Sequence, residues 1–198
     1  MAVMNGAPET LAQAAARLVV DDGLEYGAAK RKAARELMRR GARRAELPSN
    51  EAIEDEVREY LALFQADTQP AELESLRRLA LRWMERLAEF RPHLTGAVWR
   101  GTATRRSAIQ IELYCDDSKA AEIALLDRRI SFEPVGQPDG PDLLRIDAPC
   151  AALGETVSLF LHVLDRDDLR GALKPDARGR TWRGDAPALQ RLLQAEAA

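Results

Sequence analysis

Cysteine, histidine and aromatic residues are all scarce in this chain. Its 198 residues include two cysteines, Cys115 and Cys150, and neither belongs to a CxxC pair. The sequence therefore predicts neither a disulfide framework nor a zinc site. The two histidines, His93 and His162, lie far apart, and no serine stands in a GxSxG turn. We expect no nucleophilic triad.

Long apolar runs are also absent. Hydrophobic residues make up 46% of the chain, but no stretch approaches the roughly 20 apolar residues that cross a bilayer. The first residues lack the basic and then apolar pattern of a secretory signal. A formal net charge of −3 gives no overall attraction to nucleic acid. The composition predicts a cytoplasmic protein without a membrane or nucleic-acid partner, and its abundant alanine and arginine suggest a bacterial source.

The first half of the chain has helical periodicity. Four helices are predicted: one capped by Thr10 and Gln13, one from Ala28 to Arg40, one after Ser49, and one from Pro70 to the residues before Pro92. The apolar stripes of the third and fourth helices are Ile53, Val57, Tyr60, Leu61 and Phe64, and Leu73, Leu76, Ala80, Trp83, Leu87 and Phe90. Each stripe follows the 3.6-residue period of an amphipathic helix.

The second predicted helix is strongly basic. Its inward residues are Ala29, Ala33 and Leu37, and the cations around them are Lys30, Arg31, Lys32, Arg35, Arg39 and Arg40. The cations lie all around the helix and no aromatic residues alternate with them. This pattern favours a solvated surface over a nucleic-acid contact.

In the second half the apolar period changes to two. Strands are predicted at 96–100, 108–114, 130–135, 143–148 and 157–164, with a turn from Gly136 to Asp142. A short helix at 119–127 is expected to pack Ala120, Ile123, Ala124 and Leu126. A charged loop then leads to a last helix capped by Asp185.

These elements predict an α+β fold in which N-terminal helices precede a mixed sheet with short helices. The expected organisation is a helical region at 1–92, an α/β sheet core at 93–165, and a charged loop with a C-terminal helix at 166–198. We expect these three parts to form one compact unit.

The segment LTGAVWRGTATRRSAIQIELYCDD, residues 94–117, has the spacing of a site. Ile109, Ile111 and Leu113 alternate, so Gln110 and Glu112 face the other way. This order of strand, glycine loop and strand resembles the nucleotidyltransferase core. In that family the loop follows a Gly-Ser or Gly-Thr pair, and the second strand carries two aspartates one residue apart.

The resemblance implies roles for particular residues. Gly101 and Thr102 match the Gly-Ser/Thr pair that approaches the triphosphate, and Ser107 matches the residue that often precedes the first aspartate. Ala108 and Gln110 stand at the aspartate positions, where the family holds two divalent ions. Neither side chain can bridge magnesium ions. The resemblance thus implies a degenerate nucleotidyltransferase fold with no metal site.

Two carboxylates near this strand remain as candidate catalytic groups, Glu112 and Asp116. A metal-dependent nucleotidyltransferase would need both of them, a carboxylate from a later strand, and Mg²⁺. The alternative interpretation is a half-exposed sheet face without catalysis.

An anion site is a second hypothesis for this segment. Gly101 and Thr102 begin a short loop that could expose backbone N–H groups, and Arg100, Arg105 and Arg106 add forked donors. A nucleotide or another phosphorylated ligand is the natural candidate. The alternative is that the three arginines are solvated or pair with nearby carboxylates.

The whole chain also resembles a small proteobacterial family through EYGAAKRKAAREL, FRPHLTGAVWRGTATR and IELYCDDSKAAEIALLD. Members of that family are sometimes labelled UDP-N-acetylmuramate–alanine ligase. An ATP-driven ligase of this type uses a P-loop and separate substrate domains in a chain more than twice as long. This sequence contains no GxxxxGK[ST] motif.

The sequence therefore favours a non-catalytic binding or interaction module on a nucleotidyltransferase-like scaffold. The alternatives are a metal-dependent nucleotidyltransferase and the labelled ligase. Expected partners are a nucleotide or phosphorylated ligand, another protein, or a second copy of the chain.

Overall fold

The computed structural model describes residues 10–39, 41, 46–136, 142–176 and 178–196. Within these residues the chain forms seven α-helices and a six-stranded mixed sheet, which confirms the predicted α+β class. Contacts divide the chain into two compact units, Met1–Asp67 and Thr68–Ala198. The sequence-based partition placed its first boundary after residue 92, whereas the fourth helix belongs with the sheet because its apolar face packs in the same core.

The first unit contains three helices, whose ends follow the predicted capping signals. The Thr10 hydroxyl accepts a hydrogen bond from the Gln13 N–H at 3.2 Å, and Gly23 ends the first helix with φ 66°. The Ser49 hydroxyl caps the third helix by accepting from the Ala52 N–H at 3.1 Å. The bounds are α1 Leu11–Asp22, α2 Tyr26–Arg39 and α3 Asn50–Phe64.

Alanine supplies five of the eleven buried core residues described in the first unit. α1 buries three consecutive alanines together with Leu18, Val19 and Val20, and the buried residues of α2 are Ala29 and Ala33. Small side chains let helices approach closely but bury little apolar area. The predicted stripe of α3 is wrong at Phe64, which is the last residue of the helix, 68% exposed, with its ring 4.7 Å from that of Tyr60.

The second unit carries helices on one face of its sheet. The bounds are α4 Gln69–Arg86, β1 His93–Thr95, α5 Gly96–Arg100, β2 Ile109–Cys115, α6 Ser118–Asp127, β3 Glu133–Pro134, β4 Asp142–Cys150, β5 Glu155–Asp165, β6 Arg183–Asp185 and α7 Ala186–Glu196. The strand order is β3-β4-β5-β2-β1-β6. The β2–β5 pair is parallel and the other pairs are antiparallel.

The core of the second unit lies between α4, α6, α7 and one face of this sheet. The predicted inward residues of β2 are fully buried and pair in register with Leu159, Leu161 and Val163 of β5. All six predicted residues of the α4 stripe are buried as well. The Asp185 carboxylate caps α7 by accepting from the Ala188 N–H at 2.9 Å. Within the described residues, no helix combines the length and hydropathy needed to cross a membrane.

The strand predicted at Gly96–Arg100 is wrong, because these residues form the short helix α5. Gly101 ends α5 in the left-handed conformation with φ 80°. Buried Arg77 donates to the terminal carbonyls of Val98 and Trp99 at 3.0 and 3.1 Å. Arg77, which is distant in sequence, thus pairs the carbonyls that are left free at the end of α5, a helix too short to be stable alone.

Three further expectations differ from the structure. The strand predicted at 130–135 reduces to Glu133–Pro134, and the charged loop contains an unpredicted edge strand, β6. α6 buries Ala121 and Leu125, while Ile123 is 54% exposed. The predicted α6 face is therefore wrong at Ile123 and Leu126, which are exposed, whereas Ala120 and Ala124 are partly buried against the core as predicted. The turn predicted at 136–142 lies mostly outside the described residues.

Candidate functional site

The loop between α5 and β2 uses its own backbone donors. The N–H groups of Gly101 and Thr102 both donate to the Ala97 carbonyl, at 3.0 Å for Thr102. The Thr104 N–H donates to the Ser107 hydroxyl at 3.1 Å, and the Ser107 N–H donates to the Thr104 carbonyl at 2.8 Å. In this conformation these donors end α5 and close a turn, so they do not point at a shared anion.

The arginines of this segment reach different partners. Arg100 is buried, lies 4.1 Å over the Trp182 ring and donates to the Thr181 carbonyl at 3.1 Å. Arg105 forms two hydrogen bonds to Glu155 at 3.2 and 3.0 Å.

The backbone of the same loop also contacts a second carboxylate, that of Glu72. The Arg105 N–H donates to Glu72 at 2.9 Å, and the Arg106 N–H lies 3.4 Å from the Thr104 hydroxyl. The hydrogen bond that Arg105 donates to the Glu155 side chain raises the pKa of Arg105. Gly101, Thr102, Arg105 and Arg106 thus lie in one loop, while Arg100 turns toward another segment.

The two candidate catalytic carboxylates do not converge. Glu112 lies in the middle of β2, whereas Asp116 follows the last residue of the strand and pairs with Arg166 at 2.7 Å. Four residues of strand correspond to about 13 Å at roughly 3.3 Å per residue. The Asp116 side chain is 70% exposed. The loop with Gly101 lies at the opposite end of β2, so these residues do not form a single site.

The structure brings together other residues, on the sheet face opposite the core. In register, His93 of β1 and His162 of β5 are the two neighbours of Glu112. The pattern of 157–164 already placed His162 on the outward face of its strand. Nothing in the sequence indicated that both histidines would flank Glu112, because that depends on the order of the strands. We call this surface of His93, Gln110, Glu112, Tyr114, His162 and Arg183 the polar face.

Glu112 is the centre of a tight hydrogen-bond network. The Tyr114 hydroxyl donates to its Oε2 at 2.6 Å, and Arg183 Nη1 lies 2.8 Å from the same oxygen. Arg183 also donates to the Tyr114 hydroxyl at 2.9 Å. The Glu112 side chain is only 12% exposed. Burial, followed by the hydrogen bond to Glu112, raises the pKa of Tyr114 to about 12.

Both histidines form a hydrogen bond through one ring nitrogen. His162 Nε2 lies 2.6 Å from the Gln110 side-chain amide. His93 Nδ1 lies 2.9 Å from the Arg91 carbonyl, so that ring carries its proton on Nδ1. Burial lowers the pKa of His162, while the Glu112 charge opposes this shift. The His93 ring stands edge-on to Tyr114, with centroids 5.4 Å apart.

Glu112 already has an ion pair and a hydrogen bond, both through its Oε2. Positions 108 and 110, which precede it on the same face, are alanine and glutamine and offer no carboxylate. No group of three or more His, Cys, Asp or Glu in the described residues is arranged to hold a metal ion. The polar groups on this side of the sheet are an amide, a hydroxyl, two imidazoles and one guanidinium, and two of the residues that carry them, Tyr114 and His93, are buried, at 2% and 6% exposure.

Comparisons with known proteins find similarity to solved structures but not to a protein family. No family model matches it, and no curated protein matches it. A solved structure of Cid1 poly(U) polymerase with MgGTP has a TM-score of 0.38 and 10% identity. The match covers 58% of this chain and 38% of the Cid1 chain. A structure of Cid1 with the UTP analog UMPNPP has a TM-score of 0.38 and 11% identity. That match covers 62% of this chain and 39% of the Cid1 chain.

These structural neighbours have the nucleotidyltransferase fold, and the chain spans about two fifths of their length. At this identity and TM-score, the similarity says nothing about activity or ligand. The resemblance to a proteobacterial family rests on sequence motifs alone.

Proposed function

We propose that this chain is a non-catalytic binding module on a nucleotidyltransferase-like scaffold, with its ligand-binding side at the polar face. The observation that carries the proposal is the set of contacts that Glu112 makes. This residue is the carboxylate at the centre of this face, and Arg183 and Tyr114 already occupy one of its oxygens at 2.8 and 2.6 Å. Metal-dependent phosphoryl transfer needs carboxylates that are free to share two cations.

The ligand that we propose is small, polar and phosphorylated, such as a nucleotide. Arg183 is 24% exposed and supplies the positive charge of the face. The half-buried Gln110 amide and His162 imidazole provide hydrogen-bonding groups beside it. An anion that contacts the far edge of this guanidinium does not need to break the pair with Glu112, since a guanidinium has five N–H donors.

Calorimetry with Mg²⁺ and Mn²⁺ tests the non-catalytic part of the proposal. We expect no micromolar binding by the wild type and no change in Glu112→Gln. The matched gain-of-function variant is Ala108→Asp with Gln110→Asp, which restores the two carboxylates at the positions that the resemblance assigns to aspartates. We expect that variant to bind Mn²⁺ more tightly than the wild type does.

The result that would contradict the proposal is micromolar metal binding by the wild type that Glu112→Gln removes. Metal-dependent incorporation of nucleoside monophosphate by the wild type would do the same, and would favour the nucleotidyltransferase alternative. For the ligand, a thermal-shift series with nucleotides and Arg183→Gln as the comparison reports whether the polar face takes an anion.

The ligase alternative is tested separately. Without a P-loop lysine to contact the β and γ phosphates, the purified chain should release no ADP from ATP with UDP-N-acetylmuramate and L-alanine. Turnover that persists through a second purification would support the ligase label.

A further inference from the structure

The outer surface of α2 carries a row of arginines spaced by one helical turn. Arg31, Arg35 and Arg39 follow each other at intervals of four residues, which corresponds to about 6 Å along the helix axis. All three side chains are exposed. They lie opposite the buried stripe of Ala29 and Ala33, so packing of the first unit fixes their direction outward. We call these three residues the arginine row.

No carboxylate in the described part of the chain forms an ion pair with the arginine row. Arg35, the middle member, donates from Nε to the Arg31 carbonyl at 3.2 Å, a hydrogen bond within the helix. The carboxylate of Asp22 pairs with Lys32 instead, at 2.7 Å. The charge of the row is therefore not neutralised by these neighbours.

The arginine row borders a groove of about 440 Å³. Its lining contains all three members of the row together with Lys32, Glu36, Leu24 and Ala28. α2 carries five cations and one carboxylate, a net charge of +4 on a chain whose formal net charge is −3. Positive charge is thus concentrated on one helix of an otherwise acidic protein, which steers anionic partners to that helix.

The sequence pattern favoured a solvated surface for α2, but the structure aligns three of its arginines along one groove. We propose that the arginine row binds the phosphate backbone of double-stranded nucleic acid. A guanidinium group can donate two parallel hydrogen bonds to the oxygens of one phosphate. Arginines at regular intervals along a helix suit the regularly spaced phosphates of a nucleic-acid backbone. Single-stranded nucleic acid is usually held by stacking of bases on aromatic rings. No aromatic residue lines the groove, so recognition involves the backbone alone and is independent of sequence.

Binding of this kind depends steeply on salt. Three neutralised phosphates give a slope of about −3 in log K against log salt concentration, or roughly 40-fold weaker binding from 50 to 200 mM salt. This inference concerns the first unit and does not depend on the proposed function of the polar face. Either proposal can fail while the other stands.

Fluorescence anisotropy of the full chain with a labelled duplex of about 20 base pairs tests the inference. The variant is Arg31→Gln, Arg35→Gln, Arg39→Gln, in which glutamine keeps the helix propensity. We expect the wild type to bind at 50 mM salt, and the variant to bind at least tenfold more weakly with a flatter salt dependence.

The matched control is Arg78→Gln, Arg166→Gln, Arg170→Gln, which removes the same charge from arginines that are paired with Glu74, Asp116 and Asp167. We expect this control to keep wild-type affinity. Circular dichroism of both variants confirms that the helices are intact.

Four outcomes overturn the inference. The first is no duplex binding by the wild type at 50 mM salt, and the second is an equal loss in the matched control. The third is competition by poly-glutamate as effective as by unlabelled duplex, which would identify an acidic protein segment. The fourth is binding to phosphatidylserine vesicles, but not to the duplex, that depends on the arginine row, which would identify a membrane surface.

Discussion

The two units of this chain use arginine in different ways. In the second unit, arginines pair with carboxylates, as Arg105 does with Glu155, Arg166 with Asp116 and Arg183 with Glu112, at 3.0, 2.7 and 2.8 Å. In the first unit, the arginine row of α2 has no such partner among the described residues. These three ion pairs join segments that are distant in sequence. On α2 it is presented to the solvent, where a partner can use it.

The cores of the two units also differ, in the size of their buried side chains. The second unit buries large side chains between its helices and the sheet, including Leu76, Met84 and Leu87. In the first unit, five of the eleven buried core residues that the structure describes are alanines of α1 and α2. Because apolar burial stabilises by roughly 25 cal/mol per Å², these small side chains contribute less for each residue buried.

The largest expected effect is that of Gly184→Ala in β6. A Cβ atom at this position would lie 2.0 Å from the Trp99 ring, so the ring must move out of its place. We expect a loss of about 3 kcal/mol in the free energy of unfolding, at the upper end of overpacking costs. Urea titration measures it, and Trp99→Ala in the same chain should recover part of the loss. A cost below 0.5 kcal/mol would contradict the tight packing that we assign to the second unit.

A second prediction compares a buried arginine with one of the arginine row. Arg77→Ala removes the donors to the Val98 and Trp99 carbonyls and the ion pair with Glu196. Buried acceptors then lose charged partners, so we expect a loss of about 2 to 3 kcal/mol. Arg35→Ala should change stability by less than about 0.5 kcal/mol. Equal losses in the two variants, measured by chemical denaturation, would remove the distinction between the units.

A third prediction follows from the raised pKa of Tyr114, about 12 against an ordinary value of 10.0. The folded chain holds this proton more tightly than the unfolded chain does. The stabilisation is therefore complete below about pH 10 and is lost as the pH rises toward 12.

We expect the free energy of unfolding to fall by about 1 to 2 kcal/mol across that window, as measured by urea titration at several pH values. Tyr114→Phe should flatten this part of the profile. An unchanged slope in that variant would mean that another group is responsible.

The smallest expected effect concerns Arg105 and the predicted anion site of its loop. An anion at Arg105 has to compete with Glu155, which lies 3.0 Å from the guanidinium. We expect phosphate or nucleotides to stabilise the wild type by less than about 1 °C in a thermal-shift assay at low salt. Glu155→Gln makes this arginine resemble the arginine row and should increase the shift. If Arg105→Ala in the Glu155→Gln background leaves the shift unchanged, the anion site is not at this arginine.

Much of the fold follows from local patterns in the sequence. The capping box at Thr10 and Gln13, the stripe of α4 and the cap at Asp185 depend on residues within a few positions of one another, and all appear as predicted. α5 was missed because its stability depends on Arg77, which is about 20 residues away and donates to its last carbonyls. β6 was missed because three residues in a charged loop carry no strand signal until they pair with β1.

The candidate site could be predicted only in part. Alternation correctly placed Glu112 on the face opposite the core, and the loop of Gly101, Thr102, Arg105 and Arg106 is continuous in sequence and in space. Asp116 was grouped with Glu112 because it is close in sequence, but an extended strand carries the two apart. The partner of Glu112 is Arg183, which comes from the far end of the chain.

Local patterns in the chain account for the class of fold, the ends of the first helices, the buried face of β2 and the cations of α2. These features depend on the periods of helix and strand and on the chemistry of single side chains. Which charges are neutralised depends instead on how the elements pack. Strand order places His93 and His162 beside Glu112, and the return of the chain through β6 brings Arg183 to the same carboxylate, while the arginine row of α2 faces outward. Ion pairs form between residues that meet in space, and such meetings are set by packing rather than by distance along the chain.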